Sequence, residues 1–136
     1  RLTELKRWSE YLAIPLTIKP KFFPVDPTLS QKIIIAANNN DINPSAVAFS
    51  FMKAVWAEEK DISNEETIKE VCKDCNLDFN LLIEQAKSDE INNQYNQNTE
   101  EAMNNNVWGS PTFIYNSELF WGQDRIEFLE RAIQNN

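Results

Sequence analysis

Val107 to Arg125, read V-W-G-S-P-T-F-I-Y-N-S-E-L-F-W-G-Q-D-R, constrains the fold of this chain more than any other stretch. Gly109-Ser110-Pro111 interrupts whatever precedes it, because Pro111 lacks a backbone N–H and pushes Ser110 out of the helical region. Thr112 to Tyr115 is a run of β-branched and aromatic residues and reads as a strand. Asn116-Ser117 is a two-residue turn, and Glu118 to Trp121 is a second short strand, which together make a hairpin. Gly122 ends it, and Ile126, Leu129 and Ile133 fall at helical spacing, so a closing helix starts near Gln123. A proline opening a strand after a small residue makes Ser110-Pro111 a candidate cis bond.

The rest of the chain reads as helices. Leu2, Leu5, Trp8 and Leu12 mark one apolar face, which Ile14-Pro15 ends. Leu16 to Ile18 is the one candidate extended piece upstream, and the three prolines between Lys19 and Pro27 make that segment an irregular loop. Thr28 or Ser30 is expected to cap a helix ending at Asn38-Asn39-Asn40, and Asn43-Pro44 to open a long apolar one through Trp56. Ser63-Asn64-Glu65-Glu66 has a capping-box pattern, with Asn76 at the far end of its helix. Asp78 caps the next helix, and a polar, Asn-rich one runs from Asp89 to about Asn104. The Asn-rich tracts read as compositional bias, and Trp8, Phe51 and Trp56 as core residues.

A lone two-stranded hairpin is marginal in water. Phe113, Tyr115, Phe120 and Trp121 need a sheet partner that this chain does not supply. The expectation is that a βαβ unit of more than about 30 residues belongs upstream. Arg1 stands where an initiator Met would, so the chain is expected to be a fragment or a processed product. The start is amphipathic, unlike the apolar segment of a signal peptide.

Charge and composition remove several function classes. A net charge of −8 disfavours nucleic acid and anionic membrane surfaces as partners. No apolar run approaches the roughly 20 residues of a membrane span. The absence of histidine removes His-based triads and ordinary zinc sites, and no metal is expected. Cys72-Lys73-Asp74-Cys75 has redox spacing, but it falls at a helix C-terminus, where the dipole opposes a thiolate, so its expected role is structural. Free cysteines fit a reducing cytoplasm.

V-W-G-S-P-T-F with S-E-L-F-W-G-Q-D-R-I-E-F-L-E-R-A resembles the C-terminal signature of the 2-hydroxychromene-2-carboxylate isomerases. That family is close to kappa-class glutathione transferases and has a DsbA-like thioredoxin fold. Leu5-Lys6-Arg7-Trp8 with Tyr11 to Leu16, and Ala54 to Glu58 with Asp61-Ile62-Ser63, resemble the family's helical insertion. The likeness thus covers essentially the whole chain.

The resemblance implies an α/β, thioredoxin-like fold of DsbA/kappa type with a large helical insertion. Residues 1–27 would connect the upstream thioredoxin half to the insertion, 28–106 would form the insertion, and 107–136 the C-terminal ββα part. It implies a glutathione-dependent isomerase of small aromatic carboxylates, forming a homodimer in the cytoplasm. The glutathione thiolate would add to the chromene, the ring open, a bond rotate, and the thiolate leave. The family's catalytic Ser lies on a first βα turn outside this chain, so the catalytic residue is unknown and no turnover is expected of the fragment alone. Ser45, Ser50, Ser63 and Ser110 do not replace it.

Four positions match the family's glutathione contacts. The backbone of Ser110, held by cis-Pro111, would pair with the cysteinyl part. Gln123 and Asp124, at the start of the last helix, would receive the γ-glutamyl carboxylate and ammonium. Arg125 is expected in a structural ion pair. Lys19, Lys21, Phe22 and Phe23 are candidates to line a pocket for an aromatic carboxylate, or else a solvated basic pair beside core phenylalanines. Rival readings are a kappa-class transferase, a DsbA-like disulfide oxidoreductase and, outside enzymes, a helical interaction module.

Overall fold

A computed structural model describes residues 1–135. The order is α1 (Leu2–Leu12), α2 (Thr28–Asn39), α3 (Pro44–Trp56), α4 (Glu65–Asp74), α5 (Phe79–Ala86), α6 (Asp89–Asn104), β1 (Thr112–Tyr115), β2 (Glu118–Trp121), a 3₁₀ turn over Gln123–Arg125, and α7 (Ile126–Gln134). The chain divides into two compact units, Arg1–Tyr95 and a second that begins at Asn96.

The first unit is a helical cluster. Residues three or four apart on successive helices share a face, and those faces are apolar here. Ile33, Ala36 and Ala37 of α2, Val47, Phe51, Ala54 and Val55 of α3, Ile68, Val71 and Cys72 of α4, and Leu82 and Ala86 of α5 are buried together. In this core α2 packs on α3 and α5, and α4 on α3 and α5. Phe51 is core as expected. Trp56 is only partly buried against it, and Trp8 lies outside it on α1, which buries no residue.

Caps fix where the helices begin. Asn43 accepts from Ser45 N–H at 3.0 Å, and Asp78 from Leu81 N–H at 3.1 Å, as expected. Two caps fall elsewhere. Asp26, not Thr28 or Ser30, takes the Thr28 N–H at 2.9 Å, while the Ser30 hydroxyl turns inward and donates to Pro27 O. Asn64, not Ser63, caps α4 by accepting from Glu66 N–H at 2.8 Å; the Ser63 hydroxyl donates to Asp61 instead. The asparagine tract after α2 has a structural use. Asn40 donates to Gln85 at 2.6 Å and Asn39 to Gln94 at 2.8 Å, tying α2 to α5 and α6. Leu16 to Ile18 forms no strand; Thr17 N–H donates to Trp56 O at 2.6 Å.

The second unit contains the antiparallel hairpin and α7, which packs on both strands. Asn116 and Ser117 have φ of 49° and 66°, the two positive values a type I′ turn requires. Phe113 opposes Phe120 on one face; Thr112 opposes Trp121, and Ile114 opposes Leu119, on the other. Phe120 is buried, whereas Ile114, Leu119 and Trp121 remain exposed.

Candidate functional site

The open end of the hairpin brings the expected site residues together. Thr112 and Trp121 form the last ladder pair, and beyond them Gly122 N–H donates to Pro111 O at 2.9 Å. That bond holds the segment entering β1 beside the segment leaving β2. Ser110 sits just before it and Gln123-Asp124 just after it. The Ser110-Pro111 bond is cis, as expected. The N–H and C=O of Ser110, and the N–H groups of Gln123 and Asp124, have no hydrogen-bond partner among the described residues. All four residues are exposed.

Two glycines make this end possible, and they are the only glycines in the chain. A Cβ on Gly109 would overlap the Trp121 indole nitrogen. Trp121 in turn packs against Trp108, with ring centroids 4.0 Å apart and the planes tilted by 44°. Gly122 has φ of 107°, and a Cβ there would lie 2.6 Å from Asp124 Oδ1. The bare glycine thus lets the Asp124 carboxylate fold back over the first turn. Sequence reasoning missed both roles; the signal was the restriction of glycine to this one stretch.

Arg125 forms the expected ion pair, its guanidinium 2.8 Å from Asp124 Oδ2. Both side chains are about half exposed, so the pair is screened and contributes little to stability. It occupies Oδ2 and leaves Oδ1 beside Gly122. A carboxylate, a short run of free N–H donors and a free peptide unit are complementary to a zwitterionic peptide end and an extended backbone.

Of the loop residues, Lys19 and Phe23 line one cleft in the first unit, together with Arg1 and Trp56. Lys21 and Phe22 line a different depression that Phe23 also borders, and Asp26 and Asp61 contribute to it. The expected group of four is therefore split.

Cys72 and Cys75 are free thiols. Burial, and secondarily the neighbouring Cys75, pushes Cys72 up from 9.0 to about 11. Cys75 Sγ lies 3.2 Å from the Ser50 hydroxyl. With its thiol protonated at neutral pH, Cys72 is a poor nucleophile. A thiol reagent at neutral pH is expected to label half-buried Cys75 and to spare Cys72 until denaturant is added; equal labelling rates would contradict the burial. The raised value also has a sign for stability. Unfolded Cys72 ionises first, so stability is intact below pH about 9 and falls as pH rises towards about 11.

Among the described residues no group of three or more His, Cys, Asp or Glu side chains could hold a metal ion. No described helix is long and apolar enough to cross a membrane.

Comparison with known proteins agrees with this architecture. The chain is 25% identical over 95% of its length to a 2-hydroxychromene-2-carboxylate isomerase of Sphingobium xenophagum, and 26% identical over 96% to one of Pseudomonas putida. It spans 64% and 62% of the length of these two relatives. A solved 2-hydroxychromene-2-carboxylate isomerase superposes on 98% of the chain with a TM-score of 0.81 at 24% identity, the chain covering 64% of that structure. The family model described as DSBA-like thioredoxin domain matches residues 2–134. With its seven α-helices, C-terminal hairpin and closing helix among the described residues, the chain belongs to the DSBA-like thioredoxin domain family.

Proposed function

We propose that the protein is a glutathione-dependent isomerase acting on 2-hydroxychromene-2-carboxylate-type aromatic compounds. The observation that carries this reading is the open end of the hairpin. There the free Ser110 peptide unit, the unpaired N–H groups of Gln123 and Asp124, and Asp124 Oδ1 converge around the Gly122–Pro111 bond. These groups fit the two ends of glutathione: Ser110 takes its backbone as an added strand, and the helix start takes its γ-glutamyl end. When bound, glutathione supplies a nucleophilic thiol whose reversible addition to an electrophilic double bond permits isomerisation with no net consumption of thiol. Ser110, Gln123 and Asp124 bind and orient; none of them is assigned a proton transfer or the activation of the thiol.

The relatives' names support the substrate class. A homodimer is part of the same proposal, supported by Phe49 and Met52, which lie 55% and 56% exposed on one side of α3. The free thiols support a reducing, cytoplasmic setting.

The test follows the absorbance of a chromene carboxylate incubated with the full-length gene product, with and without glutathione. Conversion to the trans-benzylidenepyruvate only when glutathione is present is expected. A stable glutathione conjugate would instead establish a transferase, and conversion at equal rates without glutathione would sink the cofactor assignment.

A further inference from the structure

Glycine leaves the backbone freer than any other residue, so the peptide plane after Gly109 would turn readily about its ends if nothing held it. That plane carries the Ser110 N–H. The Gly109–Ser110 bond is trans, so its C=O and N–H point in opposite directions. Whatever fixes the Gly109 carbonyl therefore aims the Ser110 N–H as well.

Two side chains fix it. The Thr112 hydroxyl donates to Gly109 O at 2.5 Å. Trp121 presses its indole edge against Gly109 and leaves no room for a Cβ there. Thr112 and Trp121 are ladder partners, so their side chains stand side by side on one face of the hairpin. Both reach back to Gly109 from that face. Trp108 backs the indole from a further side.

The bonds around Ser110 are unevenly placed. The carbonyls on either side of it are engaged within the protein, Gly109 O by Thr112 and Pro111 O by Gly122 N–H. The N–H and C=O of Ser110 itself are engaged by no described residue, and Ser110 is exposed. The restraint thus falls on the flanking carbonyls and leaves the Ser110 edge open. Such a donor has its direction set before a ligand arrives, which lowers the ordering cost of pairing with an extended backbone.

We propose that Thr112 and Trp121 are positioning residues of the glutathione site. They lock the Gly109–Ser110 plane so that the Ser110 N–H meets the cysteinyl backbone of the ligand, and they act through that plane without touching the ligand. This role rests on the glutathione reading of the hairpin's open end.

Calorimetric titration of the full-length gene product with reduced glutathione tests the role. Thr112→Val keeps the β-branched shape and deletes the hydroxyl, and it is expected to raise the glutathione Kd about fivefold. Thr112→Ser restores a hydroxyl and is expected to stay within about twofold of the parent. Trp121→Phe withdraws the indole from Gly109 and is expected to raise the Kd about threefold. It also supplies a second variant should Thr112→Val fold poorly. In the unliganded protein the Ser110 amide signal should move in Thr112→Val and return in Thr112→Ser, with the Gln123 and Asp124 amides in place. Residues that only held the hairpin together would lower the thermal unfolding midpoint and leave the Kd of the folded protein alone. Parental Kd values in Thr112→Val and Trp121→Phe, or a Thr112→Ser variant as weak as Thr112→Val, would overturn the positioning role while the parent's own binding keeps the glutathione site. A parent that does not bind glutathione removes the site and the role together.

Discussion

Leu82→Ala is expected to destabilise the protein by about 2–5 kcal/mol, a large share of the roughly 5–15 kcal/mol that holds a domain of this kind together. Leu82 is fully buried on α5, which packs on α2 and α4. Truncation removes the transfer energy of the lost methyl groups and leaves a void that three helices cannot close without moving. The adjacent residue supplies the control. Leu81 lies on the same helix but is 42% exposed, and Leu81→Ala is expected to stay within about 0.5 kcal/mol of the parent. Urea unfolding of the two variants decides the matter. Similar midpoints would mean that α5 does not face the core as described.

Asp124→Ala has the largest expected effect on binding, raising the Kd for glutathione about tenfold by removing a charge-assisted contact to the γ-glutamyl ammonium. Stability should barely change, because among the described residues the ion-pair partner of this carboxylate is the exposed Arg125. This separation matters, since an acidic residue at a helix start also has a purely structural use, worth about 0.3–1 kcal/mol through the helix dipole. If Asp124 served only that use, the variant would lose a little thermal stability and keep its glutathione affinity. Calorimetric titration and thermal unfolding of the same preparation distinguish the two roles.

Much of the fold was legible because its signals are local. The hairpin follows from a β-branched and aromatic run on either side of Asn116-Ser117, and both turn residues adopt the positive φ the turn demands. Asn43 was legible as a cap because Pro44 follows it at the first helical position, and Asp78 because an apolar run follows it. The caps of α2 and α4 were not, because Asp26, Thr28 and Ser30, like Asp61, Ser63 and Asn64, offer competing side-chain oxygens within a few residues. Only backbone direction selects among such candidates, and composition does not record it. The asparagine tract was misread for a related reason: its partners Gln85 and Gln94 lie 45 and 55 residues away.

Ser110, Pro111, Gln123 and Asp124 became candidates through resemblance; from the residues alone only the cis bond at Ser110-Pro111 and the helix start near Gln123 were legible. No spacing rule reveals that Gly122 N–H closes on Pro111 O and so gathers these residues at one end of the hairpin. The indole of Trp121 resting on Gly109 was equally hidden, because it depends on cross-strand register. The division of Lys19 from Lys21 and Phe22, with Phe23 bordering both depressions, is a tertiary fact as well.

The central claim is that the open end of the hairpin receives glutathione. Titration of the ¹⁵N-labelled full-length gene product with reduced glutathione, read amide by amide, tests it most directly. The account predicts saturable shifts centred on the backbone N–H groups of Ser110, Gln123 and Asp124, with the Asn116-Ser117 turn at the opposite end of the hairpin unmoved. Saturable shifts that leave those three amides in place, or no shifts at millimolar glutathione, would contradict it.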